Sequence, residues 1–387
     1  MSAAAIKGWC PGALRPMQSG DGLVVRVRPF GGRLEAAQVA GLAELAERYG
    51  NGLIDVTSRA NLQIRGVSEQ GHRRLLDGLA LLRLLDPDTD IEARRNILVT
   101  PFWNSADETQ ALAAELEEAL ADSALDLPTK FGFAIDDGRS RVLAGDSADV
   151  RIERDRDGRL LVRADGARLG HSVARGEAVS TALALASWFI SSGGAKGGRG
   201  RMAAHIAAGA VLPESLSGET EPAPVMAASR PGHYPHGALV GVAFGQMLHT
   251  TFHQFSGCGH ALRMTPWRMV LSEGKREMPS GAGLITEPYD PALRVIACSG
   301  APRCREAHAD TRALASALAP RIGLDTRLHV SGCAKGCARS GASAVTLVAT
   351  SAGFDLVRDG STRDEPVLRG LNGADIVSDP SILVGGH

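Results

Sequence analysis

Apolar and polar residues follow two different periods in the first hundred positions. Gly22-Leu23-Val24-Val25-Arg26-Val27 and Ile54-Asp55-Val56-Thr57-Ser58-Arg59 are short runs rich in β-branched residues, and they predict strands. Between them Leu34, Val39, Leu42, Leu45 and Tyr49 recur near helical spacing, which predicts a helix bracketed by strands. The order returns late in the chain. Gly237-Ala238-Leu239-Val240-Gly241-Val242 leads into Phe244-Gly245 as the first run leads into Phe30-Gly31, and Leu262-Arg263-Met264-Thr265-Pro266-Trp267-Arg268 answers the second run. A βαβ-type half-unit is therefore present twice.

The segments downstream of the two copies also repeat. Ile97-Leu98-Val99-Thr100 resembles Val295-Ile296-Ala297-Cys298, each a short buried strand. Thr109–Leu116 matches Thr311–Leu318, each an amphipathic helix, and each half then predicts a strand pair turning at Asp157-Gly158 or Ala352-Gly353. The expected order is A–B–A′–B′: A over 1–90, B over 91–211, a linker rich in Pro, Ser, Glu and Gly over 212–235, A′ over 236–284 and B′ over 285–387. The fold class is mixed α/β or α+β with an internal duplication. The run Gly193–Arg201 lacks the Gly-Lys-Ser/Thr ending of a P-loop. It reads either as an anion-facing turn or as a flexible solvated one.

With 387 residues the chain is longer than one core normally takes. A net charge of −1 gives no electrostatic case for nucleic acid or a membrane surface. No apolar run approaches the roughly 20 residues of a spanning helix, and 1–16 lacks the apolar core of a signal peptide, so a cytoplasmic location is expected. Six cysteines in such a chain point to metal or redox chemistry before disulfides.

Four of them form two pairs, Cys298-x5-Cys304 and Cys333-x3-Cys337, flanked by glycines and small residues. Thiolates suit soft iron and its bridging sulfides, so the four predict a cubane 4Fe–4S cluster, with Arg303, Arg305 and Lys335 offsetting its charge. Structural zinc is the alternative, although its paired cysteines stand closer in sequence. Cys10 and Cys258 lack such partners and read as ordinary packing.

The duplicated order together with this cysteine pattern resembles the sulfite and nitrite reductase family over nearly the whole chain. The resemblance implies that the A units form a ferredoxin-like pair, that the B units are α/β domains, and that a tetrapyrrole lies in the central cleft beside Cys337. It further implies tetrapyrrole contacts from Arg59 and Asn61 in Thr57-Ser58-Arg59-Ala60-Asn61, from Arg94 and Arg95 ahead of Asn96, and from Lys130 in Leu127-Pro128-Thr129-Lys130-Phe131-Gly132. A guanidinium can grip a carboxylate with two parallel hydrogen bonds, which suits a macrocycle bearing several. For any single arginine, a surface salt bridge is the other reading.

One departure bears on function. The family's anion site carries a second lysine after the phenylalanine, and Gly132 stands there instead. The opening Gly8-Trp9-Cys10-Pro11-Gly12-Ala13-Leu14-Arg15-Pro16-Met17 and the segment Ser331–Cys337 resemble one branch, the monooxygenases of oxygen-dependent cobalamin biosynthesis. That branch implies hydroxylation of precorrin-3A at C20 with closure of a γ-lactone, molecular oxygen as co-substrate and NAD(P)H as ultimate reductant. No nicotinamide fingerprint is visible, so a separate reductase or electron carrier is expected. The branch also implies a mononuclear non-haem iron. His249 and His253, four apart, are its nearest candidates, with His260, His233 and His236 nearby in sequence, but no carboxylate accompanies them and ordinary polar histidines are the other reading. A sirohaem-dependent sulfite or nitrite reductase and a non-catalytic metal scaffold are the rival functions.

Overall fold

The computed structural model describes residues 11–274 and 277–383, the side chain of Cys258 excepted; Cys10 and the two residues before it lie outside. The first segment runs β1 (Met17–Ser19), β2 (Gly22–Val27), β3 (Arg33–Leu34), α1 (Ala36–Tyr49), β4 (Leu53–Val56), β5 (Leu62–Val67) and α2 (Glu69–Leu81). The second runs α3 (Thr89–Arg94), β6 (Ile97–Val99), α4 (Thr109–Asp122), β7 (Phe133–Asp136), β8 (Val150–Arg154), β9 (Leu160–Ala164), β10 (His171–Ser172), α5 (Ala178–Ser191) and α6 (Met202–Ala207). The third holds β11 (Gly232–Tyr234), β12 (Gly237–Val242), β13 (Gln246–Leu248), α7 (His249–His253), β14 (Leu262–Met264), β15 (Met269–Glu273) and β16 (Leu284–Ile285). The fourth holds β17 (Val295–Ala297), α8 (Thr311–Leu318), β18 (Leu328–Ser331), β19 (Ser343–Thr350), β20 (Gly353–Gly360), β21 (Leu368–Leu371) and α9 (Gly373–Ser378).

α1 forms because Val39, Leu42, Ala43 and Ala46 put one stripe into the core, while Gln38 caps the backbone amide of Glu35 at 2.9 Å. Leu34, expected at the head of that helix, belongs instead to β3. This short strand leaves its own sheet and pairs with β14 of the third segment. The exchange is reciprocal, since β13 pairs with β4. The two sheets therefore have matching orders, β1-β2-β5-β4-β13 and β11-β12-β15-β14-β3. Each crossing comes after a tight turn with two left-handed residues, Gly31 and Gly32 at φ 58° and 67°, and Phe244 and Gly245 at φ 54° and 70°. One continuous core runs through both sheets, from Val25, Leu42 and Ile64 to Val240, Leu262 and Val270.

The other two segments share a topology as well. β6, β7 and β8 are parallel and β9 returns antiparallel, just as β17, β18 and β19 are parallel and β20 returns antiparallel. α4 and α5 bury Leu112, Leu116, Leu185 and Phe189 against the first of these sheets, and α8 buries Leu314 and Leu318 against the second. The stretch read as a linker is largely attached. Thr220, Pro222 and Val225 form isolated bridges to Gly170, Asp155 and Arg141, and β11 is already the edge of the third segment's sheet. No helix among the described residues is long and apolar enough to cross a membrane.

Candidate functional site

The two cysteine pairs lie on loops leaving β17 and β18, neighbouring parallel strands whose ends the register brings side by side. A backbone bond stitches the loops together, His308 N–H donating to the Gly332 carbonyl at 2.9 Å, and Cys304 N–H closes the first loop on the Gly300 carbonyl at 2.8 Å. Gly332 N–H points at the Cys298 sulfur, 3.2 Å away. A side chain at 332 would meet the Ala307 methyl at 2.7 Å, so only glycine lets the loops approach this closely. Thr311 Oγ1, at the start of α8, donates to the Cys298 carbonyl at 2.8 Å, and Ser331 Oγ to that of Cys333 at 2.7 Å.

Burial pushes the Cys333 and Cys337 thiols up, and the charges of the other cysteines push them further the same way. Two thiols whose ionisation is opposed in this way are a site for positive charge. Among the described residues no three His, Cys, Asp or Glu side chains close on a single-ion point, the cysteines included. The ligands of a multi-iron cluster stand round a larger body, and the small residues, the amide aimed at sulfur and the nearby cations fit such a group.

Of the cations expected there, Lys335 acts on Cys333 and Cys337, and two further guanidiniums join it. Lys335 pairs with Glu306 at 3.4 Å, and Arg305 is exposed. Arg268 and Arg312 are the guanidiniums whose charge interacts with Cys298. Arg268 Nη2 donates to the Ala338 carbonyl, one residue past Cys337, at 3.2 Å. Behind them His329 is fully buried in β18, and neither ring nitrogen has a hydrogen-bond partner among the described residues. Burial, aided by Arg268 and Arg339, lowers its pKa to about 4 and keeps it neutral.

Arg268 and its neighbour Trp267 belong to a loop that the duplication pairs with the Arg59 loop. Thr57 and Thr265 each accept a backbone N–H from within their own loop, from Asn61 at 3.1 Å and from Trp267 at 3.3 Å. Ala60 and Arg268 both take left-handed backbone, φ 53° and 58°, a conformation costing about 1–3 kcal/mol that persists where surroundings enforce it. Arg59 and Trp267 thus hold equivalent places, and both reach the segment between β7 and β8. Arg59 Nη2 donates to the Lys130 carbonyl at 2.9 Å and lies 3.4 Å from Ser147 Oγ, while Trp267 Nε1 donates to Asp146 at 3.0 Å. Through adjacent residues, the 265–269 loop touches the cysteine loops on one side and the Arg59 surroundings on the other.

The tetrapyrrole contacts expected from sequence divide into two groups. Arg59 is partly buried and Lys130 exposed beside Gly132, and Asn61 is buried in the same loop as Arg59. Arg95 requires correction. It is buried and bound at both ends to Asp86, at 2.7 and 2.8 Å, donates to the Arg28 carbonyl at 2.9 Å and stacks 3.8 Å from the centre of the Phe30 ring. Arg94 donates to the Leu120 carbonyl at 3.1 Å, at the C-terminal end of α4. Arg95 thus ties the second segment to the first from within the core, while Arg94 is partly exposed.

Gly132 is not simply open space either. A Cβ there would lie 3.1 Å from the Asn96 carbonyl, with Arg59 Nη1 at 3.8 Å, so a guanidinium already stands near the missing side chain. The glycine-rich run ends at the same place: Arg201 pairs with buried Asp149 at 2.9 Å, whose carboxylate also accepts the Gly132 N–H at 3.0 Å. The histidine set does not assemble. His249, on α7, lies 3.8 Å from Glu47 of α1, His253 is exposed, and His236 stands beside Phe102 and Arg263 on another sheet. The side chain of Cys258 lies outside the described residues.

Residues 15–82 match the model of the nitrite/sulfite reductase ferredoxin-like half domain. A Precorrin-3B synthase from Sinorhizobium sp. is 31% identical over 94% of this chain and 85% of its own length. A ferredoxin–nitrite reductase from Synechococcus elongatus is 29% identical over 35% of this chain and 28% of its own. Among solved structures, the Mycobacterium tuberculosis NirA protein superposes with a TM-score of 0.66 over 92% of this chain and 79% of that one; at 17% identity the likeness is one of fold.

Proposed function

The chain belongs to the sulfite and nitrite reductase family, in the branch that includes precorrin-3B synthase, and from that premise we propose that it is an oxygen-dependent tetrapyrrole monooxygenase. Its substrate is precorrin-3A. One atom of molecular oxygen enters as the C20 hydroxyl, a ring-A acetate closes to a γ-lactone, and the second oxygen atom leaves as water. NAD(P)H and a proton supply the reducing equivalents through a separate reductase or carrier. Cys298, Cys304, Cys333 and Cys337 hold a 4Fe–4S cluster, which supplies single electrons when bound.

The observation that carries the reading is the 265–269 loop. Trp267 meets Asp146 and Arg268 meets Ala338, so the Arg59–Lys130 surroundings and the cysteine loops flank one stretch of backbone. A macrocycle held there through its carboxylates lies next to the electron source. Arg59 and Lys130 bind those carboxylates, and Asn61, buried at the base of the Arg59 loop, holds that loop in shape. Buried Arg95 takes no part. No step is routed through a mononuclear iron, because His249 and His253 gather no third donor among the described residues.

A sirohaem-dependent sulfite or nitrite reductase is the second reading, and Arg59 beside Gly132 favours it by restoring part of the charge that the absent lysine would bring. One experiment separates the two. Protein purified without oxygen should contain iron and sulfide but no stoichiometric sirohaem. Given precorrin-3A, reductant and oxygen-18 gas, it should place one labelled atom in the product hydroxyl. Stoichiometric sirohaem with rapid sulfite or nitrite reduction, and no label incorporated, would establish the reductase instead.

A further inference from the structure

Two guanidiniums stand close together beside Cys298 with too little negative charge to neutralise them. Arg312, second residue of α8, is 14% exposed, and its Nε and Nη1 have no hydrogen-bond partner among the described residues. Its Nη2 lies 3.8 Å from Asp55 Oδ1. That carboxylate is already engaged, by Arg65 Nη1 at 3.1 Å and by Gln246 Nε2 at 2.6 Å. Arg268 has no carboxylate within ion-pair distance among the described residues, only the Ala338 carbonyl at 3.2 Å.

Like charges weaken each arginine's hold on its proton. Burial lowers Arg268 to about 10 with Arg312 the next cause, and Arg312 is lowered by burial and by Arg65 and Arg303. For both, only Asp55 and Cys298 act in the opposite sense. Like charges out of water are costly unless an anion compensates them. With Asp55 shared three ways, the remaining anion is the one assembled on the cysteines. Arg305 and Lys335, exposed or already paired with Glu306, are screened by water and count for less.

We propose that Arg268 and Arg312 are the buried counter-charge of the cysteine-bound cluster and hold its reduction potential up, with Asp55 as the opposing weight. The inference rests on the cluster assigned under the proposed function. One-electron reduction adds one negative charge to the cluster, and two fixed cations in a dry setting favour that state over the oxidised one. Neither arginine is a ligand; both act through charge.

The test uses the full chain purified without oxygen, unsubstituted and as Arg268→Gln, Arg312→Gln, Arg312→Lys and Asp55→Asn. Iron and sulfide per chain are measured first, then the cluster midpoint by dithionite titration followed by electron paramagnetic resonance. Both glutamine variants should have a more negative midpoint than the parent, Arg312→Lys should stay near it, and Asp55→Asn should shift it the opposite way. If an arginine variant loads no cluster, Asp55→Asn decides: a positive shift supports the inference and an unchanged midpoint overturns it. Full iron and sulfide with unchanged midpoints in Arg268→Gln, Arg312→Gln and Asp55→Asn overturns this inference alone. An unsubstituted protein without iron and sulfide overturns the cluster reading, and this inference with it.

Discussion

Arg95→Ala separates a structural role from a binding one. The Arg95 and Asp86 side chains are each 4% exposed and joined by two hydrogen bonds of 2.7 and 2.8 Å. Truncation leaves the Asp86 carboxylate buried without its partner, strands the Arg28 carbonyl and uncovers the Phe30 ring. Removing one member of such a pair costs about 3–5 kcal/mol, most of it the orphaned charge. Replacing both, as Arg95→Met with Asp86→Leu, removes that charge and should cost less than Arg95→Ala alone. Urea unfolding followed by circular dichroism and by tryptophan fluorescence reads the loss; in a chain with several cores the earliest transition is the informative one. Tetrapyrrole affinity, measured on protein still folded, should be nearly unchanged. An unaltered unfolding midpoint with affinity weakened by about 1–3 kcal/mol, the size of a lost charge-assisted hydrogen bond, would refute this account and return Arg95 to the cleft.

Serine at Cys298, Cys304, Cys333 or Cys337 should abolish the broad cluster absorption and the oxygenase activity together, because a hard alkoxide replaces thiolate poorly on iron; Cys258→Ser should retain both. Arg59→Ala and Lys130→Ala should each weaken tetrapyrrole binding by about 1–3 kcal/mol while iron content stays at the parent value, as titration and metal analysis would show. Asp136, whose carboxyl burial raises to about 7 from 3.8, holds its proton more tightly folded than unfolded, so its contribution to stability is full below about 4 and is lost as pH climbs past about 7. Asp136→Asn should remove that loss, and denaturation at about pH 5 and about pH 8 would show a smaller difference than in the parent; an equal difference would argue that Asp136 is ionised throughout.

Features that repeat or cluster locally could be read from the sequence. The strand runs at Gly22–Val27 and Gly237–Val242 share composition and a trailing Phe-Gly, so the duplication shows in the chain itself. The cysteine pairs are also local, and their loops meet because they leave neighbouring strands. Strand exchange was not legible: β3 has two residues and β13 three, too few for a period, and Leu34 fits the helical spacing of α1 by coincidence. Arg95 misled because only burial and Asp86 distinguish a core guanidinium from a ligand-facing one. Arg268 left a usable trace, since the duplication places Trp267-Arg268 where the first half carries Arg59-Ala60. His329 left none, because one histidine in an apolar strand looks the same whether or not its nitrogens find partners.

The reciprocal crossing of β3 and β13 also constrains how such a molecule could have arisen. Each half lacks one edge of its own sheet and carries the piece that the other half lacks. A half produced alone would have an open edge beside β4 or β14 and a short strand with nothing to lie against. Two copies of one half answer each other's need in the same way that the present halves do. The architecture is that of a symmetric pair joined end to end, with cysteines on the loops of one member. Separately expressed halves, cut within 212–231, should accordingly associate with each other, and each should be unstable alone.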